Sequence, residues 1–375
     1  MIYLAVPAVI AAIYQLVALV AAIVRSRAKD ARDSDSCPAV SLLKPLCGRD
    51  PQLYAAIRSH AHIDYPEFEI LFGARDPQDP ALEDIARLQR EFPRLAIRAV
   101  ICPGTLPNAK VAVLAGLAPE ARYPVLVVND SDIVVQPDYL RRVTAKLAEP
   151  GVGLATCLYR AAGESWPARW EALGIAMDFA SGVLVARAIG IAEFALGSTM
   201  ALGAETLREI GGFEAIGEFL ADDYQLGRRV SGTGRRIALA STVVETHLSG
   251  QTWGEVWRHQ LRWARTVRVS RAAGYYGYAI TNASVWAALA LAAGAWPVAL
   301  IALAIRLATG LFTAVKVLGD RDTARLFFLI PFRDLWGFAV WLAGLAGSTV
   351  EWRGETLRLG RDGRIVRHES AAGRL

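Results

Sequence analysis

The sequence predicts an α/β domain on a mostly parallel sheet, set among membrane segments. Three observations lead there. Short apolar runs rich in β-branched residues, namely AVSLLKPL, FEILFGA, LAIRAVI, VLVVND and VGLATCLY, alternate with polar helical stretches from Cys37 to about Gly250. Residues Met1 to Val24 carry no charge and run into Arg25, Arg27, Lys29 and Arg32. With 54% hydrophobic residues and a mean hydropathy of +0.30, the 375-residue chain is more apolar than one soluble domain requires.

Taken in order, residues 1–24 read as an N-terminal transmembrane helix, too long for a cleaved signal peptide and without its basic start. Residues 25–36 form a basic linker, which by the positive-inside rule puts the α/β domain of residues 37–250 in the cytosol. Residues 251–275 have the pattern of an amphipathic interfacial helix. Residues 276–318 read as a transmembrane hairpin interrupted at GAWP and carrying Arg306. Residues 319–350 form a re-entrant or third C-terminal membrane segment, broken by Pro331, Arg333 and Asp334. The basic tail, 351–375, favours the re-entrant form, because another crossing would carry its arginines outside.

Composition excludes some functions. A net charge of +5 and a pI near 9.1 suit an anionic membrane surface or a polyphosphate ligand. Arg258 to Arg271 is the one basic, aromatic-bearing stretch, and it leads directly into an apolar segment, which argues against nucleic acid. The four cysteines have neither metal-ligand spacing nor a disulfide framework, as expected of reduced thiols.

Four soluble patches carry candidate chemistry. In VLVVNDSDIVVQPDYL, Val125 to Val128 read as a strand covered on both faces. In extended chain Asp130 and Asp132 would point to one side, where a hard cation could sit, although a strand-end turn with solvated acids fits the same residues. In FGARDPQDPAL, Asp76 stands at the carboxyl end of a strand, where it can accept hydrogen bonds from a nucleoside or simply form a turn. In ICPGTLPNAKV, Lys110 opens a helix and can neutralise phosphate there, or be solvated. In GEFLADDYQLGRRV, Asp222 and Asp223 suit either a helix dipole or general-base catalysis. Downstream, TWGEVWRHQLRWARTVRVSR sets Trp253, Trp257 and Trp263 among arginines, as in a helix seated at the headgroup layer.

Taken together and in order, VSLLKPLCGRDPQLYAAIRSHAHIDYPEFEILFGARDPQDPAL, PNAK, NDSD, GGF…FLADDYQLG and HQLRW resemble the membrane-bound lipid glycosyltransferases of family 2. The ceramide glucosyltransferases and the bacterial hopanoid-biosynthesis glycosyltransferases are the nearest groups, matched from about Val40 to Arg271. The resemblance implies an A-type glycosyltransferase fold. It also implies that Asp76 contacts the uridine and Lys110 faces the sugar nucleotide. Asp130 would lie on the ribose or metal side and Asp132 on a divalent cation, Mg²⁺ or Mn²⁺, bridging the diphosphate. Asp223 would be the catalytic base, with Asp222 beside it on the acceptor side in place of a glutamate. Arg262 would hold the diphosphate and Trp263 line the acceptor site. One position departs: where the family has Gln or Arg before the Arg-Trp pair, this chain has His259, and a neutral imidazole binds phosphate less strongly than arginine. The metal motif of ceramide enzymes often ends in Gly rather than an acid like Asp132, which gives the hopanoid branch weight.

The resemblance thus implies inverting transfer of a hexose, glucose or N-acetylglucosamine, from a UDP-sugar donor to the hydroxyl of a membrane lipid acceptor, ceramide or hopanoid polyol. The bilayer would be its partner and a bacterial inner membrane its place. A processive polysaccharide synthase would use the same motifs but normally needs a larger membrane channel. A nicotinamide oxidoreductase lacks its GxGxxG after the first strand. A non-catalytic membrane scaffold leaves the ordered carboxylates without a purpose.

Overall fold

The computed structural model describes residues 2–28, 37–248, 250–352 and 354–366. The expected linker, from residue 29 on, and the last part of the basic tail, 367–375, lie outside the described residues. The chain forms two compact units, one of residues 37–159 and 192–248, the other of 2–28, 160–191 and 250–366. Residues 160–191, expected within the α/β domain, therefore group with the apolar segments.

The first unit is built on strands β1 (Val40–Pro45), β2 (Phe68–Ala74), β3 (Ala96–Ile101), β4 (Val125–Val128), β5 (Ile133–Val134), β6 (Val152–Ala162), β7 (Met200–Gly203) and β8 (Arg236–His247). They form an eight-stranded sheet in the order β3-β2-β1-β4-β7-β6-β8-β5. β3, β2, β1 and β4 are mutually parallel, whereas β7 runs antiparallel to both β4 and β6, and β5 antiparallel to β8. The sheet is mixed: VGLATCLY, one of the runs that suggested parallel strands, lies in the antiparallel half.

Alternation along the strands creates two cores. Val40, Leu42, Ile70, Phe72 and Val127 belong to one cluster, and Leu43, Leu71, Leu126 and Val128 to another, because successive side chains leave opposite faces. Each such side chain, fully removed from water, contributes about 1.5–3 kcal/mol. Close packing explains Gly73 in β2: a Cβ there would meet Val113 Cγ1 at 2.4 Å, so only glycine lets the helix Ala109–Leu117 lie this near the sheet. The order β3-β2-β1 on one side and β4 on the other makes the carboxyl ends of β1 and β4 a topological switch point, where sheets of this kind bind ligands.

The second unit holds three helices long and apolar enough to cross a membrane: Ala5–Arg27, Trp296–Val317 and Phe327–Gly344. Alanines line the packing of the first two with the shorter helix Ala283–Ala292: Ala5 and Ala8 cluster with Ala287, Ala290, Ala299 and Ala302, and such small residues let helices approach closely. Of the hairpin expected over 276–318, the second arm has the length of a span. The first is the 10-residue helix Ala283–Ala292, about 15 Å long where a crossing needs about 30 Å. The break at GAWP is real, with Gly294 at φ +80° closing one helix and Pro297 in the first turn of the next.

Pro331, Arg333 and Asp334 do not break the last apolar segment. Pro331 lies in the first turn of the helix Ile330–Gly344, a position that tolerates it, and both charges are buried and paired. Arg306, 1% exposed, donates through Nε to Asp334 Oδ1 at 3.1 Å and through Nη2 to the same atom at 2.7 Å. It also donates to the Met177 carbonyl at 3.1 Å and to Asp178, whose other oxygen lies 3.6 Å from Arg333 Nε. The following residues, expected as a basic tail, include a three-stranded antiparallel sheet of β9 (Thr349–Trp352), β10 (Glu355–Leu359) and β11 (Ile365–Val366).

The interfacial segment is the helix Trp253–Ser270, started by a capping box between Thr252 and Glu255. Its arginines are engaged within the protein. Arg265 donates to the Ala346 and Thr349 carbonyls and Arg268 to those of Leu345 and Gly347, which ties down the segment that follows the helix Ile330–Gly344. Arg258 pairs with Glu351 at 3.1 Å. Trp253 and Trp257 pack on Trp336 at ring separations of 6.0 and 5.3 Å.

Candidate active site

Three of the four acidic or basic patches meet at the switch point of the first unit. The helix Ala109–Leu117 starts at Asn108, whose side chain accepts the Val111 N–H at 3.1 Å and donates to the Phe219 carbonyl at 2.8 Å. That double contact ties the helix start to the loop before Asp222. Lys110, in the first turn, then reaches Asp130 Oδ1 and Asp222 Oδ2, each at 2.8 Å. Burial disfavours its charge, but the two carboxylates more than reverse this and raise its pKa.

Asp222 and Asp223 open the helix Asp222–Gly232. Asp222, expected on the acceptor side, gives its carboxylate to Lys110. Asp223 accepts the Gly197 N–H at 3.0 Å and the Tyr224 N–H at 2.7 Å. Burial, reinforced by the charge of Asp222 and opposed by Lys110, pushes the Asp223 carboxyl up to about 6. A Cβ on Gly197 would stand 3.3 Å from Asp130 Oδ2 and 3.6 Å from both Asp223 Oδ2 and Lys110 Nζ. Three functional groups thus converge on a place kept open by the absence of a side chain.

Asp130 and Asp132 are not in extended chain. The Ile133 N–H donates to the Asp130 carbonyl at 3.3 Å and closes a turn, so the expected one-sided alternation does not apply. Asp130 faces Lys110, and Asp132 accepts from the Thr246 hydroxyl of β8, brought there by the pairing of Ile133 with Thr246. Burial and then the charge of Asp130 raise the Asp132 pKa, the mark of two carboxylates close enough to repel. Their donors are hard oxygens, which suits a divalent cation. Among the described residues no group of three His, Cys, Asp or Glu side chains is arranged to hold a metal by itself.

Beneath the turn lies Lys44 of β1, fully buried, donating to the Asp130 carbonyl at 3.0 Å and lying 3.3 Å from His60 Nε2. Burial lowers its pKa to about 7, with Asp132 and Asp130 partly opposing. Asp76 is exposed in the turn after β2, one oxygen held by the Gln78 N–H at 2.8 Å. Neighbouring Asp79 is structural, accepting the Gly48 and Ala81 N–H groups at 2.9 Å each.

His259, Arg262 and Trp263 belong to the second unit, on the helix Trp253–Ser270, where spacings of three and four residues put them on one face. His259 meets Trp263 in a tilted contact at a centroid separation of 4.6 Å, and Trp263 lies 5.9 Å from Phe179. The Nδ1 of His259 hydrogen-bonds Glu171. Sequence reasoning missed Gly197, Thr246, Lys44 and Glu171. Only Lys44 offered a signal, a lysine inside an apolar strand.

Comparison with known proteins bears on the family and the fold. The family model described as glycosyl transferase family 21 matches residues 2–365. Ceramide glucosyltransferase 3 of Caenorhabditis elegans is 27% identical over 213 residues, 56% of this chain and 46% of that protein. Ceramide glucosyltransferase of Komagataella phaffii is 30% identical over 110 residues, 28% of this chain and 21% of that one. The matched part thus spans less than half the length of these relatives. Among solved structures, a mannosyltransferase from Pyrobaculum calidifontis, in complex with GDP-Man and Mn²⁺, superimposes with a TM-score of 0.53 at 19% identity, covering 91% of this chain and 99% of that one. That likeness shows the A-type glycosyltransferase fold. With a family match along nearly the whole chain, this protein belongs to glycosyl transferase family 21, in line with its resemblance to the ceramide glucosyltransferase group.

Proposed function

We propose that this protein transfers a hexose, glucose or N-acetylglucosamine, from a UDP-sugar to the hydroxyl of a membrane lipid, a ceramide or a hopanoid polyol, with inversion at the anomeric carbon. The convergence of Lys110, Asp130 and Asp223 on Gly197, at the carboxyl edge of the sheet, carries this reading. Asp223 is the base. Its carboxyl, raised to about 6 by burial, is ionised near neutral pH yet basic enough to take a hydroxyl proton. As the acceptor oxygen bonds to the anomeric carbon, the proton passes to Asp223 and the carbon–phosphate-oxygen bond breaks on the opposite face. The electron pair leaves with UDP.

Asp76, exposed at the end of β2, contacts the uridine, while Lys110 and Arg262 neutralise the diphosphate. A divalent cation, Mg²⁺ or Mn²⁺, fits the oxygens of Asp130 and Asp132 and, when bound, supplies positive charge to the leaving group. His259 and Trp263 serve the lipid acceptor. Three helices of spanning length support an integral membrane protein, and Arg25 and Arg27 beside the first of them support a cytoplasmic catalytic unit in a bacterial inner membrane.

The purified protein, incubated with membrane lipid extract and a panel of radiolabelled UDP-sugars, should yield one β-linked glycolipid. Absence of lipid product with every sugar, alongside transfer to a water-soluble acceptor, would overturn the lipid assignment.

A further inference from the structure

The helix Trp166–Gly174 carries Glu171, whose side chain is 1% exposed. One carboxylate oxygen meets Nδ1 of His259, and the other, Oε2, has no hydrogen-bond partner among the described residues. A buried carboxylate with a single partner is costly, and glutamine or leucine would be tolerated better if packing were all that mattered. The partner is the residue at which this chain departs from the usual Gln or Arg of its motif.

We infer that Glu171 is a positioning residue for the lipid acceptor, holding the proton of His259 on Nδ1 so that Nε2 is left to accept a hydrogen bond from a lipid hydroxyl other than the one that gives its proton to Asp223. The inference deepens the proposed function and rests on it for the identity of the acceptor. Three observations support it. The contact to Glu171 fixes which ring nitrogen carries hydrogen, since a carboxylate can only accept. Contact with Trp263, ring centroids 4.6 Å apart and planes tilted by 59°, restricts the ring, so the free nitrogen has few directions open to it. The spacing from His259 to Trp263 is one helical turn, which puts the free nitrogen beside the aromatic face assigned to the lipid. A histidine so held presents a hydrogen-bond acceptor, a role that glutamine can fill with its carbonyl and arginine cannot. The chemistry it selects is therefore a neutral hydroxyl donor.

Two measurements test this. In protein labelled with ¹⁵N-histidine, which has 5 histidines, the His259 ring, assigned by its loss in His259→Gln, should be protonated at Nδ1. Glu171→Ala should shift it toward the Nε2-protonated form. An unchanged ring would overturn the inference. Steady-state kinetics with N-hexanoylsphingosine in detergent micelles supply the second readout. Glu171→Ala and His259→Ala should each raise the lipid KM about tenfold, more than they lower kcat, and the double variant should be no worse than either single one. Glu171→Gln, which keeps an acceptor for Nδ1–H, should recover KM to within about threefold of wild type. Additive effects, or losses confined to kcat and thermal stability, would make Glu171 a packing residue and overturn the proposal. If wild type transfers sugar to no lipid at all, the functional reading fails and takes the acceptor half of the inference with it. The ring-nitrogen measurement still decides the other half.

Discussion

Asp222 and Asp223 are neighbours in the chain with different electrostatic lives: the first is ion-paired to Lys110 at 2.8 Å, while the second is held by the N–H groups of Gly197 and Tyr224. A carboxylate tied to an ammonium is a weak proton acceptor. One bound only to neutral donors and pushed upward by burial is a better one. Asp223→Asn should therefore lower kcat by 10²-fold or more with UDP-sugar affinity changed only a few-fold, since the amide is nearly isosteric and its oxygen keeps one of the two backbone contacts. Asp222→Asn should lose less. Nucleotide titration beside turnover assays separates the two, and an active Asp223→Asn variant would mean the base is elsewhere.

The pH profile follows from the same pair. Asp223 works ionised, and its carboxyl sits near 6 because of burial and the adjacent charge of Asp222. The ratio kcat/KM should climb as pH rises through about 6 and level off above 7. In Asp222→Asn that adjacent charge is gone, so the midpoint should fall toward the ordinary carboxylate range. Profiles recorded between pH 4.5 and 8 check this, and an unmoved midpoint would assign the titration to another group.

The cation assignment predicts that excess chelator stops transfer and that added Mn²⁺ restores it. Asp132→Asn should weaken Mn²⁺-dependent UDP binding about tenfold or more, because an amide supplies one neutral oxygen where the carboxylate supplied a charged one. Isothermal titration with and without Mn²⁺ measures this directly. Full turnover in chelator would remove the metal from the mechanism.

In the membrane unit, Arg306 bridges Asp334 and Asp178 out of water. Removing the guanidinium takes the counter-charge from Asp334 and leaves Asp178 with Arg333 alone, so Arg306→Met should destabilise the protein by about 3–5 kcal/mol, read as a lowered thermal midpoint in detergent. Arg306→Lys should recover little, as one ammonium cannot replace a fork that reaches both acids and the Met177 carbonyl.

Much of this site was legible before the fold was known. The strand run Val125–Val128 ends at the acids as read, and Lys110, Asp130 and Asp222 come together from three separate motifs. Gly197 and Thr246 were invisible because each reaches the site through a long-range contact, the latter by antiparallel pairing of β5 with β8. Glu171 hides in an ordinary helical stretch and gains meaning only from a partner 88 residues away. Hydropathy misjudged two places for one reason: it counts apolar residues without seeing where helices stop. The first arm of the supposed hairpin is a 10-residue helix, and the charges at Arg333 and Asp334 marked a buried ion network rather than a break.

The packing of the N-terminal helix also bears on how the chain is made. Gln15 donates through its side-chain amide to the Thr281 carbonyl at 2.8 Å, 266 residues later, and its main-chain carbonyl accepts from the Thr309 hydroxyl at 3.0 Å. At ordinary translation speeds, roughly 5–20 residues per second, the first helix waits on the order of fifteen seconds to a minute before Thr281 exists. Throughout that interval a glutamine amide in hydrocarbon has none of its native partners, a condition that favours chance association with other polar helices. Biogenesis would then depend on a chaperone or insertase that shelters the first helix until the last ones emerge, and Gln15→Leu would ease insertion while loosening the finished bundle.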